Sequence, residues 1–418
     1  MRSITFVSIL ILVFVSVDLY VFQGVKALTD SFSPTTKKIL YFMYWSLTIV
    51  AVISFTTTFL FSFEKWNRIL RLIFITVVSV SFFTKFFFML FVLIDDIQRS
   101  VRWVIQKIAG LFSNEPVSTN DPITRSEFLL KAGVVAATVP LVGMTWGIIS
   151  GAHDYRVRRQ KIVLKNLPSQ FHGLKIVQLS DIHSGSFYNK TAVKGGVEMA
   201  MKEKGDIVFF TGDLVNNEAS EMKNYRDIFD KIKAPLGVYS VLGNHDYGDY
   251  AQWSSPEAKI ENLRILKNIH KEMGWDLLMN EHRMLERGGD KLAIIGIENW
   301  GAKGNFPKYG KMKKAYKNTD DASVKLLLSH DPSHWDAQVR KEYKDIDIMF
   351  AGHTHGMQFG IENKFIKWSP VQYMYNQWAG LYKEGDQHLY VNRGFGFIGF
   401  PGRIGMLPEI TVMELVKG

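Results

Sequence analysis

The sequence predicts an α-helical membrane region followed by a layered α/β domain. Long apolar runs are concentrated in the first part of the chain, over residues 1–150. The remaining part, residues 151–418, has short apolar strands that each end in a cluster of Asp, His, Asn or Gly. A chain of 418 residues is long enough for two or three domains. We therefore expect a domain boundary near residue 150.

Four stretches of the first region are long and apolar enough to cross a bilayer, which takes about 20 residues of helix. We predict transmembrane helices over residues 4–22, 39–63, 72–94 and 128–150. The first stretch has the length of a secretory signal peptide, but other spans follow it directly and no small-residue cleavage site is evident. The sequence therefore predicts a multi-pass membrane protein.

Two ionisable residues, Asp18 and Lys85, fall inside the predicted spans. Such residues are costly in lipid and usually face a partner or a cavity. Parallel first and third helices would place them at comparable depths, which predicts an ion pair. The alternative is that Asp18 lies near the interface and that Lys85 extends toward the head groups.

Apolar residues recur at helical spacing over residues 97–108, between the third and fourth spans, with basic residues on the other faces. This pattern is typical of a helix that lies on an anionic leaflet. A polar linker over residues 113–122 follows it. We expect this loop to contact lipid head groups.

The formal net charge is +10. It indicates either anionic partners, such as lipid head groups, or the excess of basic residues on the cytoplasmic side that membrane proteins show. The first and third loops carry more Lys and Arg than the N-terminus and second loop, which favours an extracytoplasmic C-terminal domain. Four basic residues just past the fourth span argue against that orientation: Arg156, Arg158, Arg159 and Lys161.

The chain contains no cysteine. This excludes disulfide bonds, thiolate catalysis and zinc–thiolate sites. Any metal site must use oxygen and imidazole donors.

Five predicted strands of the second region end in potential metal ligands. Strands with continuous apolar residues are buried on both faces, as in an α/β layered domain, and such folds build their sites at the carboxyl ends of the strands. The segments that follow the strands are Asp181-Ile182-His183, Gly212-Asp213, Gly243-Asn244-His245-Asp246, His330-Asp331 and Gly352-His353-Thr354-His355. Each motif alone is compatible with ordinary turn chemistry, but their combination predicts a metal site.

Oxygen and imidazole donors without thiolate favour manganese, iron or zinc. A carboxylate shared by two cations would explain why Asp213 stands alone after its strand. Two metals about 3.5–4 Å apart can stabilise the attacking and leaving oxygens of a phosphoryl displacement. The sequence therefore predicts two divalent metal ions.

These motifs, in this order, resemble those of the calcineurin-like metallophosphoesterase superfamily. The matching segments read D-I-H at 181–183, G-D-L-V-N at 212–216, G-N-H-D at 243–246, a lone His330, and G-H-T-H at 352–355. The C-terminal run from G-L-Y to L-P-E-I is similar to the membrane-bound bacterial phosphodiesterase branch. The resemblance implies a four-layer αββα sandwich over residues 151–418, and a place in the bacterial cytoplasmic membrane.

The resemblance also implies roles for individual residues. The first metal would be held by Asp181, His183 and His355, and the second by Asn244, His330 and His353, with Asp213 bridging. His245 matches the histidine of the family that is not a ligand and can protonate the leaving group. A metal-bound hydroxide would be the nucleophile. Asn216 and Asp246 would orient their neighbours, although each is equally compatible with an ordinary turn residue.

Two features depart from that branch. It usually has Gly-Gly-Gln after the last histidine, whereas this chain has Gly356-Met357-Gln358, which puts substrate choice in doubt more than chemistry. The run T-R-S-E-F-L-L-K at 124–131 resembles a twin-arginine export signal with one arginine missing. We expect it to remain as a membrane anchor.

The substrate is predicted from the surroundings of the motifs. Lysines between residues 303 and 317, and aromatic residues at 368–382 and 394–400, suit a membrane–water interface, or else ordinary surface and core. A location at the membrane–water interface indicates a phosphorylated or pyrophosphate-linked lipid, or another small phosphoester, as substrate. The resemblance keeps open a UDP-2,3-diacylglucosamine pyrophosphohydrolase of lipid A synthesis, which would require a cytoplasmic domain. A metal-binding sensor without turnover is a further alternative, and a nuclease fits four membrane spans poorly.

Overall fold

The structure, a computed structural model, describes residues 4–60, 68–112 and 125–418. The chain divides into two compact units, Met1–Trp146 (unit 1) and Gly147–Gly418 (unit 2). The predicted linker at 113–122, the end of the predicted second span at 61–63 and Thr124 lie outside the described residues.

Unit 1 is helical. Its long helices are α1 (Ile4–Leu28), α2 (Pro34–Leu60), α3 (Arg68–Phe112) and α4 (Glu127–Ile149), the last of which ends in unit 2. Over the described ranges, these four are the helices long and apolar enough to cross a membrane. Gly24 of α1 and Gly133 of α4 both lie against the ring of Phe88 in α3. Such small residues let membrane helices approach closely.

The third helix is much longer than the predicted span. The segment 97–108, which we expected to form a separate helix on the membrane surface, continues α3 without a break. The reason is local, because no Gly or Pro occurs between Ile94 and Ala109 to end the helix. A helix of 45 residues is about 67 Å long. Since the hydrocarbon core is about 30 Å thick, α3 extends well beyond it.

Asp18 and Lys85 form an ion pair, which is one of the two arrangements that the sequence left open. Lys85 Nζ lies 2.9 Å from the Asp18 carboxylate, and both side chains are buried. The Thr48 hydroxyl also donates to that carboxylate, and Lys85 Nζ lies 4.4 Å from the centre of the Tyr44 ring. The pair thus fastens α1, α2 and α3 to one another.

We expect Lys85→Ala to destabilise the membrane unit by about 3 kcal/mol, because it leaves the Asp18 carboxylate buried without its cation. The double variant Asp18→Asn/Lys85→Met removes both charges and should lose markedly less stability than Lys85→Ala. Unfolding of the purified full chain in detergent, titrated with SDS, measures both. Equal losses in the two variants would show that packing rather than charge pairing is responsible.

The run resembling an export signal has a structural role. The Arg125 guanidinium lies 3.5 Å from Asp95 and 3.0 Å from Asp96, and the backbone N–H of Ser126 donates to Asp95. The Ser126 hydroxyl accepts from the backbone of Leu129 in the first turn of α4. These contacts fix the start of α4 against α3.

Unit 2 is built on two six-stranded sheets. The first has the order β1-β14-β2-β3-β4-β5, and β2, β3, β4 and β5 run parallel. Its strands are β1 (Arg156–Leu164), β2 (Lys175–Leu179), β3 (Ile207–Phe210), β4 (Val238–Ser240), β5 (Asp276–Leu277) and β14 (Glu409–Lys417).

The second sheet has the order β12-β13-β9-β8-β7-β6, with β7, β8, β9 and β13 parallel. Its strands are β6 (Glu281–Arg287), β7 (Asp290–Gly296), β8 (Val324–Leu328), β9 (Ile348–Ala351), β12 (Gly380–Glu384) and β13 (Gln387–Val391). A separate hairpin is formed by β10 (Ile361–Glu362) and β11 (Lys367–Trp368).

The two sheets pack face to face with helices outside them. Alternate residues of one strand point to opposite faces, so Phe209 of β3 contacts the second sheet through Phe350 of β9, with ring centres 4.9 Å apart. The next residue, Phe210, belongs to the cluster under the outer helices. Both faces of the strands are therefore buried, which explains their continuous apolar sequences and confirms the predicted αββα sandwich.

The helices of unit 2 are α5 (Lys190–Lys202), α6 (Arg226–Phe229), α7 (Pro256–Glu272), α8 (Met312–Tyr316) and α9 (Arg340–Glu342). α6 is short, because Tyr225, at φ −128°, separates it from the 3-10 turn that precedes it. The lysine-rich segment 303–317 contains α8, whose Met312 and Ala315 are buried.

Candidate metal centre

The residues predicted as metal ligands lie just past the carboxyl ends of β2, β3, β4, β8 and β9. Several have left-handed backbone conformations, which non-glycine residues rarely adopt. Asp181, His183, Asp213, His353 and His355 have φ values between 49° and 71°. These sharp turns direct side chains from two sheets to one place, and such strain is typical of functional sites.

The first group of potential ligands contains Asp181, His183 and His355, which are all buried. Nε2 of His183 lies 3.0 Å from Nε2 of His355, which is 3.3 Å from Asp181 Oδ1. The ligand atoms of the three residues lie within 4.8 Å of one another. One cation could therefore contact all three.

The second group contains Asp213, His330 and His353, whose ligand atoms meet the same 4.8 Å limit. Nε2 of His330 is 3.2 Å from Asp213 Oδ2. The side-chain oxygen of Asn244 is 2.9 Å from Nδ1 of His353, so this amide lies beside the second group.

Asp213, a member of the second group, also lies close to the first group. Its Oδ2 is 3.5 Å from Nε2 of His183 in the first group and 3.2 Å from Nε2 of His330 in the second. Its other oxygen, Oδ1, accepts the backbone N–H of His245 at 2.9 Å. This is the position that a carboxylate shared by two cations requires.

Two of the histidines are held in place by contacts of Nδ1, the ring nitrogen that does not face the site. Nδ1 of His330 lies 2.7 Å from the carbonyl oxygen of Thr211, so that Nε2 faces the site. Nδ1 of His355 accepts from the buried guanidinium of Arg403 at 3.0 Å. These contacts orient both rings.

The pKa shifts in the site favour the protonation states in which most of these groups can bind a metal. Burial alone would raise the pKa values of Asp181 and Asp213, but the neighbouring histidines lower them. Burial lowers the pKa of His183, His353 and His355, which keeps them neutral. Neutral imidazoles and ionised carboxylates are the forms that bind metals.

His330 is the exception. Burial alone would lower its pKa, but the charge of Asp213 raises it to about 10. A cation that binds Nε2 would have to displace this proton.

His245 lies at the edge of the two groups. Its ring centre is 5.0 Å from that of His183, and its Nδ1 lies 2.8 Å from the carbonyl oxygen of Asn216. This contact places the N–H on Nδ1 and fixes the ring orientation. The predicted orienting residue Asn216 thus reaches His245 through its backbone.

The buried Asp246 forms hydrogen bonds with backbone N–H groups rather than with side chains. Its carboxylate accepts the N–H groups of Asp213, Leu214, Val215 and Gly243 at 2.8–3.2 Å. It therefore joins the turn that carries Asp213 to the turn that carries Asn244.

Three neighbours of the site were given no role in the sequence analysis. Oδ2 of Asp331 lies 3.6 Å from Nε2 of His353, the Tyr375 hydroxyl lies 2.9 Å from the same atom, and Arg403 contacts His355. The strand-end position of Asp331, directly after His330, was a usable signal. Tyr375 and Arg403 lie in loops far from the motifs, where the sequence gives no comparable signal.

The site fits two divalent cations. The donors are imidazole nitrogens and carboxylate oxygens, which suit manganese, iron and zinc. Nε2 of His330 and Oδ2 of Asp331 are buried and have no hydrogen-bond partner among the described residues. Two facing imidazole nitrogens, those of His183 and His355, are also unfavourable unless a proton or a cation lies between them.

Comparison with known protein families gives two matches that together span most of the chain. Residues 1–152 match the family described as "Probable Calcineurin-like phosphoesterase, transmembrane domain". Residues 174–357 match "Calcineurin-like phosphoesterase". The first match coincides with the apolar helices and the second contains every predicted ligand.

Individual relatives and solved structures are similar over parts of this chain. The metallophosphoesterase YkuE of Bacillus subtilis is 28% identical over 70% of this chain and 98% of its own length. A transmembrane protein with metallophosphoesterase domain from Danio rerio is 28% identical over 68% of this chain, which spans 62% of that relative. The solved 5′-nucleotidase precursor of Thermus thermophilus aligns with a TM-score of 0.35 and 12% identity, over 58% of this chain and 54% of that one.

The two matches together cover the apolar helices and the strand-end residues. The resemblance noted in the sequence is confirmed, and the chain is a multi-pass membrane protein with a hydrolase domain. It belongs to the calcineurin-like metallophosphoesterases that carry a transmembrane domain.

Proposed function

We propose that this protein is a membrane-anchored phosphoesterase that uses two divalent metal ions to hydrolyse phosphodiester or pyrophosphate bonds. The observation that carries the proposal is the position of Asp213 between two His/Asp groups. One cation would be held by Asp181, His183 and His355, and the other by Asn244, His330 and His353. Such a pair of cations activates water and neutralises charge on the phosphoryl oxygens.

The side chains around the cations would supply the rest of the chemistry. His245 is oriented by the Asn216 carbonyl, so that Nε2 of its protonated form can donate to the leaving oxygen. Asp246 keeps the turns of Asp213 and Asn244 in register. The Tyr375 hydroxyl, 2.9 Å from His353, would help to orient that ring or contact a phosphate oxygen.

We propose a lipid or another envelope-linked phosphoester as the substrate. The support is that the catalytic unit is covalently attached to membrane-spanning helices. The loop count of Lys and Arg supports a catalytic unit outside the cytoplasm.

The test is metal-dependent hydrolysis by the purified full chain in detergent, with and without Mn²⁺. Bis(p-nitrophenyl) phosphate and a nucleotide-diphosphate-linked lipid serve as substrates, and Asp213→Asn as the blank. We expect Mn²⁺-dependent cleavage of at least one of them. Strong preference for the nucleotide-linked lipid would favour the pyrophosphohydrolase alternative and a cytoplasmic domain. Bound metal without cleavage of either would contradict the proposal and favour a sensor.

A further inference from the structure

Unit 2 exposes a group of large apolar side chains beside the metal residues, and we call this group the apolar rim. Its members are Met357, Phe359, Phe365, Ile366, Tyr373 and Met374. Phe365 is 93% exposed and Tyr373 is 78% exposed. Trp368 connects part of the group, since its ring lies 6.1 Å from Phe359 and its N–H lies 3.5 Å from the Tyr373 hydroxyl. Exposed apolar patches of this kind mark interaction sites.

The rim is held in place by polar contacts. Phe365 lies in the turn of the β10–β11 hairpin, where the side chain of Asn363 accepts the backbone N–H groups of Phe365 and Ile366 at 2.8 and 2.9 Å. Glu362 of the same hairpin pairs with Arg393 and Arg158, each at 2.6 Å. The hydrogen bonds of this turn therefore keep the Phe365 ring exposed to solvent.

The rim leads directly to the metal residues. Met357 follows His355 by two positions and has a left-handed φ of 54°, an uncommon conformation for a residue with a side chain. At the other end, Met374 precedes Tyr375, whose hydroxyl contacts His353. A molecule resting on the rim would thus reach both groups of ligands.

Cations accompany the apolar side chains. Lys303 Nζ donates to the carbonyl of Met374 and lies 5.6 Å from the centre of the Tyr375 ring. Lys364 and Lys367 lie in the hairpin itself. Apolar rings next to lysines suit the boundary between acyl chains and anionic head groups.

The start of unit 2 lies on the same side as the rim. The backbone of Arg403 donates to the carbonyl of Gly147, the first residue of unit 2. The next residue, Ile404, forms a bridge with Phe359 and donates to the carbonyl of Gln358. Gly147 belongs to the candidate membrane span Glu127–His153, so the chain reaches this side of unit 2 directly from a membrane-spanning segment.

We propose that the apolar rim enters the surface of the bilayer and brings phosphate groups carried by lipids to the metal residues. The substrate class is then a phosphate ester or diphosphate whose acyl or isoprenoid chain stays in the membrane. This substrate class rests on the proposed function, whereas the contact with lipid does not.

The contact with lipid can be tested by site-specific labelling, because the chain has no native cysteine. The full-chain variant Phe365→Cys would be labelled with the fluorophore NBD and placed in liposomes that contain doxyl-labelled phospholipid. Ile260→Cys in α7, also highly exposed at 68%, is the matched control. We expect lipid quenching several-fold stronger at 365 than at 260. Equal quenching, or a blue shift without quenching as in a contact with a second protein chain, would overturn the proposal.

Activity tests the delivery of substrate. In Phe365→Asp we expect kcat/KM for a phosphoester presented in liposomes to fall about 10-fold, because a charge opposes insertion. Phe365→Leu should stay within about 2-fold, and hydrolysis of bis(p-nitrophenyl) phosphate should be unchanged in both. An equal loss on both substrates would contradict the delivery role. Quenching at 365 without any hydrolysis would instead contradict the proposed function and leave the membrane contact standing.

Discussion

Asp213→Asn is expected to abolish metal-dependent hydrolysis and to lower the metal content of the purified protein together. The reason is the position of Oδ2 between His183 and His330, where a neutral amide would remove the negative charge that the two proposed cations would share. We expect a loss of about 10³-fold or more in kcat, since both cations of the proposed pair would depend on this bridge. Metal content is measured by mass spectrometry and activity with bis(p-nitrophenyl) phosphate.

The substitution is conservative for the fold. An Asn oxygen can still accept the backbone N–H of His245, which Oδ1 of Asp213 accepts now. Asp386→Asn, at an exposed ion pair with Lys165, is a control for loss of a carboxylate. It should retain both metal and activity. A variant at 213 that kept full metal content and full rate would show that the carboxylate does not bridge.

The strand-end residues were predictable because short motifs carry them. Each predicted ligand lies within a few residues of the strand that positions it, and the apolar strand and the polar end are visible together in the sequence. The architecture follows for the same reason, since strands buried on both faces need a layer on each side. What the sequence could not supply is how these residues are oriented, which depends on contacts such as that of Thr211 with His330.

Contacts between distant segments were harder to predict. Arg403 and Tyr375 reach the histidines from loops that no periodic pattern describes. Asp18 and Lys85 were recognisable as a potential pair, yet the sequence left a second arrangement open until the helices were placed. The extent of α3 was misjudged for another reason. A change from an apolar to an amphipathic pattern suggested a new helix, whereas only a residue that breaks the helix would have required one.

Met357 is a departure from the family pattern, and the structure shows its backbone conformation and the surroundings of its side chain. Its left-handed backbone would be unstrained with glycine, so the methionine has a conformational cost that the fold tolerates. Its side chain joins an exposed apolar group next to His355. The sequence identified this departure, and the structure shows that the Met357 side chain is exposed among apolar residues. Its effect on substrate choice stays a prediction.

His245→Ala is expected to slow turnover by about 10²–10⁴-fold while metal content stays near that of the wild type. The ring is held by the Asn216 carbonyl and is not part of either group of potential ligands. The matched control is His282→Ala, because Nδ1 of His282 also contacts a backbone carbonyl, that of Ala315, at 3.0 Å. This control lies outside the site and should leave kcat unchanged.

The leaving group decides whether His245 acts as an acid. A p-nitrophenolate leaves readily without a proton, whereas an alkoxide requires one, so the loss in His245→Ala should be much larger for an alkyl phosphodiester than for bis(p-nitrophenyl) phosphate. Comparing kcat for the two substrates, in the variant and in the wild type, separates proton donation from positioning. Equal losses on both substrates would mean that the imidazole only orients or stabilises charge. A selective loss on the alkyl ester would assign the proton to Nε2, the ring nitrogen that the Asn216 carbonyl leaves free.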